Sequence, residues 1–479
     1  MLTPPGSPLS DSLAPVPATP AAETPPPTAP KPARRFTVGT LTYTTGSLAL
    51  LAFWMSWGDF AWQLKERSVP PVVQVLLKKF SASDTFTAFI LGTLPAAIGL
   101  LLVPIVSYRS DRHRGRWGRR IPYLLAPTPI IVLTMFLLAA SPALGGQLHA
   151  ALGEKSPGLN ICVLGLMALS WGAFEVATTI ANALFGALVN DVVPKEMLGR
   201  FFGLFRAVSL LAGIVFNKFI FGYSDNHYAE IFIGMGLVYA AGFTLMCLKV
   251  KEGGYPPPPA PIASSRPGIV SGVATYFRET YRHPFYVLAG CLIGLVGLVF
   301  MPVNFFSVYY AESVGMSRQS FGDHLATGYT ISLGLAYFLG ALADRFHPLR
   351  MGIVSLALYL AVTVWASFYA RDPGNFGIAF VAHVALSGTF FTTTASLGAR
   401  LFPKERFAQF VSAFGILGNV ASMIMPLILG VALDWNGRHY PSTFVWSASL
   451  TTIALLGLLA LHTQFMRRGG PKGYTPDPV

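Results

Sequence analysis

The sequence predicts an all-α integral membrane protein with twelve transmembrane helices in two six-helix bundles. Three observations carry that prediction. Of 479 residues, 53% are hydrophobic and 11% charged, against about 25% charged in soluble domains, and mean hydropathy is +0.54. Such a chain cannot present a solvated surface over most of its length, which excludes a soluble globular enzyme. Apolar runs long enough to cross a bilayer, about 20 residues each, recur with polar breaks between them. Two short motifs also return at matching places in the two halves, as in an internal duplication.

Residues 1–36, crowded with Pro, Ala, Ser and Thr and basic only at their end, read as a disordered cytoplasmic tail. A secretory signal would begin basic and turn apolar. Residues 37–248 read as the first bundle, with spans near 42–65, 86–106, 122–140, 161–189, 201–221 and 230–248. Residues 249–284 read as a cytoplasmic central loop that includes a Pro run at 256–259. Within it Ile269, Val273, Phe277 and Tyr281 fall at helical spacing beside Arg278 and Arg282, the pattern of a helix lying on the inner leaflet, with a plain linker as the alternative. Residues 285–464 read as the second bundle, with spans near 285–310, 323–343, 351–369, 377–397, 407–433 and 443–462, and residues 465–479 as a cytoplasmic tail.

The formal net charge of +13 is spread in short stretches between apolar runs rather than on one folded face, so no nucleic-acid partner is expected. Most Lys and Arg fall on the side that carries both termini. With Arg206 and Lys218 set aside as lying inside the fifth span, the other side holds only Lys65, Arg67, Lys78, Lys79, Lys155, Arg318, Arg371 and Arg438. The positive-inside rule then places both termini in the cytoplasm, in a multi-pass protein of the cell (inner) membrane. Cys162, Cys247 and Cys291 lie in apolar stretches and read as core residues, not as a disulfide framework or metal site.

Asp111-Arg112 after the second span has a counterpart in Asp344-Arg345 after the eighth. Likewise Val193-Pro194-Lys195-Glu196 matches Phe402-Pro403-Lys404-Glu405, and Phe201 and Phe205 fall opposite Phe410 and Phe414. Parallel six-helix repeats that rock about a central site are a transporter architecture. The run Ser-Asp-Arg-His-Arg-Gly-Arg-Trp-Gly-Arg-Arg-Ile-Pro at 110–122 follows Pro104-Ile105-Val106-Ser107 and precedes Asn190-Asp191, Pro194 and Gly199-Arg200. Together these resemble major facilitator superfamily transporters, and within them the glycoside-pentoside-hexuronide cation symporters and the sucrose transporters.

The resemblance implies a gate, in which Asp111, Arg112, Arg116, Arg119 and Arg120, with Asp191, hold the cytoplasmic ends of the two halves together in the outward-open state. Asp344 and Arg345 would form a weaker counterpart, because no acid in the second half matches Asp191. The alternative is that these arginines only fix topology. The sucrose-type pattern has an Arg shortly before the fourth-helix acid, where this chain has Phe185-Gly186-Ala187-Leu188. A binding mode built on that Arg is therefore not available here.

Ionisable residues within spans are costly and are functional candidates by default. Asp59, Gln63 and Glu66, at i, i+4 and i+7, share a face of the first span with Trp62 beside them, groups suited to sugar hydroxyls and to stacking on a sugar ring. Glu66 has a second reading, as part of the outer headgroup layer with Lys65 and Arg67. On the fourth span Glu175 and Asn182 share a face, and Glu175 is a candidate coupling carboxylate. Arg206 on the fifth span reads either as a cavity cation or as a residue snorkelling to the interface. In the second half Asn304 and His383 are the candidates, His383 as a proton relay or as a helix-to-helix hydrogen-bond donor.

No Gly-Lys-Ser or Gly-Lys-Thr phosphate loop is found, so transport energy is expected from a H+ or Na+ gradient, or from the substrate's own. No cofactor is implied. The expected function is symport of a sugar or glycoside by a lipid-embedded monomer. The alternative on the same fold is export of amphipathic compounds or carriage of a non-sugar nutrient.

Overall fold

A computed structural model of the chain describes residues 35–255, 278, 280–403 and 406–476. The tail at 1–34, Ile269, Val273 and Phe277 of the central loop, and Lys404 and Glu405 lie outside the described residues.

Twelve long helices run through the described residues: α1 Thr45–Lys79, α2 Asp84–Arg112, α3 Ile121–Lys155, α4 Leu159–Val192, α5 Lys195–Phe219, α6 Tyr228–Lys249, α7 Pro284–Ser313, α8 Arg318–Phe346, α9 Pro348–Tyr369, α10 Pro373–Leu401, α11 Phe407–Trp435 and α12 Ser442–Arg467. Eleven are long and apolar enough to cross a membrane. The exception is α1, whose apolar stretch is diluted by Asp59, Lys65, Glu66 and Arg67. It is nevertheless as long as any of them at 35 residues, about 52 Å at 1.5 Å per residue.

Here the structure corrects the first span, which ends at Lys79 rather than near Lys65 and passes through Pro70 and Pro71. Proline is tolerated in a bundle whose neighbours re-satisfy the freed backbone groups. Just before the prolines the Ser68 hydroxyl donates to the Lys65 carbonyl at 3.3 Å. A second correction lies before α1. Phe36–Val38 and Leu41–Tyr43 pair as an antiparallel hairpin, so the first helix begins only at Thr45, where Thr44 and Ser47 form a capping box. At the other end α12 reaches Arg467 and the chain turns back through Gly470–Gly473, placing the Tyr474 hydroxyl 2.7 Å from the Leu401 carbonyl.

The expected duplication is visible in the packing. In the first half α1 packs on α5 and α6, α3 on α4 and α6, and α2 on α4; in the second half α7 packs on α11 and α12, α9 on α10 and α12, and α8 on α10. Across the halves α2 meets α11 and α5 meets α8.

Those two contacts close one end of the molecule. A Cβ on Gly430 of α11 would lie 2.7 Å from the Asp84 carbonyl oxygen, and one on Gly92 of α2 would lie 2.6 Å from Pro426. Gly322 of α8 sits against the Asn217 carbonyl of α5 as tightly. Asp434 caps α2 from the other half, its carboxylate accepting from the Asp84 N–H at 3.0 Å and from the Thr85 N–H and hydroxyl at 2.8 and 2.6 Å. Ion pairs Lys218–Asp323, Arg318–Asp225 and Lys78–Glu312 lie at the same end. Between described residues, cross-half hydrogen bonds and ion pairs are confined to this end and to mid-depth. At the end that carries the 113–120 loop the described residues leave the halves apart and that end open.

Candidate functional site

Residues 59–67 sit around the midpoint of α1, so their charges meet other helices and not headgroups. Asp59 is buried and accepts from Gln63 Nε2 at 3.2 Å, while its other oxygen, Oδ2, is buried without a partner among the described residues. Gln63 Oε1 accepts from the Ser209 hydroxyl of α5 at 2.9 Å. Arg67 then donates to Ser209 Oγ at 2.9 Å and to the Tyr329 hydroxyl of α8 at 3.0 Å. This chain of hydrogen bonds runs from a buried acid in the first half to a phenol in the second.

Beside it Lys65, fully buried, pairs with Glu66 at 2.6 Å and donates to Thr178 of α4 at 3.3 Å. Its ammonium lies 3.8 Å above the Trp62 ring. Glu175 faces the same Lys65–Glu66 pair. Glu175 makes no hydrogen bond or ion pair to a described residue and meets this pair through charge alone. Two expectations are corrected. Trp62 is buried beneath Lys65 and has no open face for a sugar ring, and Glu66 belongs to an internal ion pair, not to the outer headgroup layer.

Between the halves lies a cavity of about 300 Å³ lined by Arg67, Gln74, Arg206, Asn304 and Tyr329, with Phe391 among its apolar walls. Arg206 faces this cavity; it does not snorkel away from it. Asn304 also lines it, and Asn304 Oδ1 lies 2.9 Å from His383 Nε2, whose Nδ1 lies 2.8 Å from the Tyr359 hydroxyl. With both ring nitrogens engaged and the ring wholly buried, His383 ties the Asn304 amide of α7 to Tyr359 of α9, the geometry of the helix-to-helix reading. Asn182 is exposed, toward the open end from Glu175, and does not join the cavity lining.

The arginine loop forms a compact network. Arg119 grips Asp191 with two bonds of 2.6 and 3.0 Å, and Arg120 bridges Asp191 at 3.0 Å and Asp111 at 2.5 Å. A planar guanidinium on a carboxylate is a strong, geometrically specific contact. Sequence reasoning missed its keystone, Glu252, an acid set between Lys251 and glycines just after α6. Its carboxylate accepts the backbone N–H groups of Arg119, Arg120 and Ile121 at 2.9, 2.8 and 2.7 Å, at the start of α3.

Tyr255 donates to Glu252 at 2.7 Å, and its ring lies 4.2 Å from the Arg119 guanidinium. Burial, then Glu252, pushes the Tyr255 phenol above its ordinary pKa, so it stays a donor. For Arg119 burial acts downward, but the Asp191 hydrogen bonds and charge outweigh it and hold the guanidinium above its usual value.

All of these groups belong to the first half. Among the described residues, no hydrogen bond or ion pair of this network reaches the second half. Arg112 stacks on Tyr108 with 3.8 Å to the ring centroid, and Arg116 lies on the open loop. In the second half Asp344 pairs with Arg400 at 2.6 Å, with both partners exposed. Arg345 lies over Phe346 instead.

The sequence profile of the Major Facilitator Superfamily matches residues 294–477. The chain is similar to Sucrose transport protein SUC4 of Arabidopsis thaliana, 21% identical over 335 residues, or 66% of this chain and 63% of that protein. It is also similar to Solute carrier family 45 member 3 of Homo sapiens, 31% identical over 26% of this chain and 20% of that protein. Each alignment thus spans less than two thirds of the relative. Among solved structures, a bacterial homolog of the lysosomal transporter Spinster, inward-facing and unoccupied, superposes with a TM-score of 0.64 at 13% identity, covering 91% of this chain and all of that one. A D-xylose-proton symporter superposes at 0.58 with 16% identity, covering 90% and 99%.

Proposed function

We propose that this chain, which has the major facilitator fold, is a secondary active transporter that carries a sugar or glycoside with H+ or Na+ by alternating access. The observation that carries the proposal is the hydrogen-bond chain Asp59–Gln63–Ser209–Arg67–Tyr329, which ties a buried carboxylate with an open oxygen to the wall of a cavity between two halves closed at one end only. A carboxylate so placed takes up a proton or a small cation, because burial without a partner for one oxygen disfavours the bare charge. Loading it weakens the charge-assisted first bond of the chain. That change reaches Tyr329 across the seam between the halves.

Sugar as cargo is supported by the amide, hydroxyl and aromatic lining and by similarity to proteins named for sucrose and D-xylose transport. The membrane assignment follows charge asymmetry. With Lys65 and Arg67 inside the bundle, the closed end carries Lys78, Lys79, Lys155, Lys218, Arg318, Arg371 and Arg438, still far fewer than the opposite end, so the closed end faces outward and both termini face the cytoplasm of a cell (inner) membrane.

The test is uptake of labelled sugars into proteoliposomes under an imposed proton or sodium gradient, comparing the native chain with Asp59→Asn. Loss of gradient-driven accumulation, with exchange of labelled for unlabelled sugar retained, is expected. Full accumulation by the variant at equal protein level would overturn the coupling assignment.

A further inference from the structure

Two guanidinium groups, Arg67 from α1 and Arg206 from α5, line one small cavity. Among the described residues neither has a carboxylate within ion-pair distance. Arg67 donates only to Ser209 and Tyr329, both neutral. Arg206 has no hydrogen bond to a described residue, and the titratable groups facing it are Arg67 and Tyr329. The mid-depth acids of this half meet other groups: Asp59 accepts from Gln63, Glu66 pairs with Lys65, and Glu175 acts on that pair through charge.

Charged side chains at membrane depth almost always pair with an opposite charge or a carbonyl. Two like charges side by side in a site bounded by Phe380, Phe391 and Leu325 are therefore incomplete. Water screens them while one end of the cavity is open. Once the cavity closes around its cargo that water leaves, and the electrostatic interactions strengthen as the local dielectric falls. A neutral sugar would leave both guanidiniums uncompensated at that moment.

We propose that the transported molecule is an oxyanion, held by Arg67 and Arg206 through a carboxylate or a phosphate while Asn304, Gln74 and neighbouring serines take its hydroxyls. This rests on the sugar reading above for the hydroxylated body and adds the charge. The planar fork of arginine matches both oxyanions in two-point contacts, so the shared chemistry is fixed while its source is set by experiment.

The test is calorimetric binding to the full chain in lipid nanodiscs, using two matched pairs that differ in charge: sorbitol against gluconate, and glucose against glucose 6-phosphate. At least one anion is expected to bind about tenfold or more tightly than its neutral partner, as a charge-assisted bond supplies, and the pair showing the gain identifies carboxylate or phosphate. Arg206→Gln, which removes a side chain without a protein partner among the described residues, is expected to abolish that preference, and Arg206→Lys to keep most of it. Equal affinity within both pairs, a preference unchanged in Arg206→Gln, or no binding of either anion at millimolar concentration would each overturn the proposal. If glucose or sorbitol binds and the anions gain nothing, the charge assignment falls and the sugar reading stands. If succinate, which lacks hydroxyls, binds as well as gluconate and depends on Arg206, the anion assignment stands and the sugar reading falls.

Discussion

Lys65 holds its ammonium where no water reaches, between the Glu66 carboxylate and the face of Trp62, with Glu175 nearby. Removing that cation leaves two acids facing each other across α1 and α4. Lys65→Met is therefore expected to cost about 2 kcal/mol, below the full cost of breaking a buried pair because the Glu66 side chain is 37% exposed. The double variant Lys65→Met/Glu66→Gln should recover at least half of that loss. Thermal unfolding of the four members of this cycle checks it, and a double variant no better than Lys65→Met would remove the ion pair as the reason. Asp59 and Glu175 were legible in the sequence because an isolated acid inside an apolar run is too costly to be kept there without a task. Lys65 and Arg67 were not, since three consecutive charged residues at the end of an apolar run look like a helix emerging into headgroups. Their partners Thr178, Ser209 and Tyr329 come from three other helices, and no spacing along a chain fixes distances between helices.

Among the elements, α2 to α12 were readable from apolar runs and the halves from their repeated motifs, because lipid demands the runs and duplication preserves the motifs. The continuation of α1 beyond Pro70 and Pro71 was hidden by the rule that proline ends helices, which holds in water better than in a bundle. The start of α3 also depends on a residue far away in the chain. Glu252 accepts the N–H of Ile121, the first residue of α3, and those of Arg120 at its N-cap and Arg119 just before it, and its charge suits that end of the dipole. Glu252→Ala is expected to cost about 2 kcal/mol locally. Hydrogen exchange should show faster exchange at Arg119, Arg120 and Ile121, with the amides of α8 and α10 unchanged. Unaltered exchange at those three positions would mean that water or another group caps α3 equally well.

At the scale of the whole molecule, the two halves meet where glycine permits. A side chain on Gly430 would strike the Asp84 carbonyl, the Thr85 Cα at 2.8 Å and the Ala88 Cβ at 2.9 Å, two of them backbone atoms that cannot swing aside. Gly430→Leu should therefore wedge this end apart and shift the population toward the opposite state, by about tenfold for an overpacking cost of about 1–3 kcal/mol. In a background where Cys162, Cys247 and Cys291 are replaced, a cysteine substituted for the buried Ala88 should then react with a water-soluble maleimide about tenfold faster. An unchanged rate would show that the seam closes by other means. The Asp434 cap on α2 carries a further consequence. Its bonds, together with the neighbouring ion pairs, must part before the closed end admits anything, whereas the 113–120 network lies within one half and stays intact. A molecule arriving from the open side finds a standing site. From the other side it meets the same residues only during the fraction of time that the seam is parted, and its apparent dissociation constant is larger by the inverse of that fraction. One cavity thus has two apparent affinities, and a carrier that binds its cargo identically from both sides is still, at rest, a one-sided receptor.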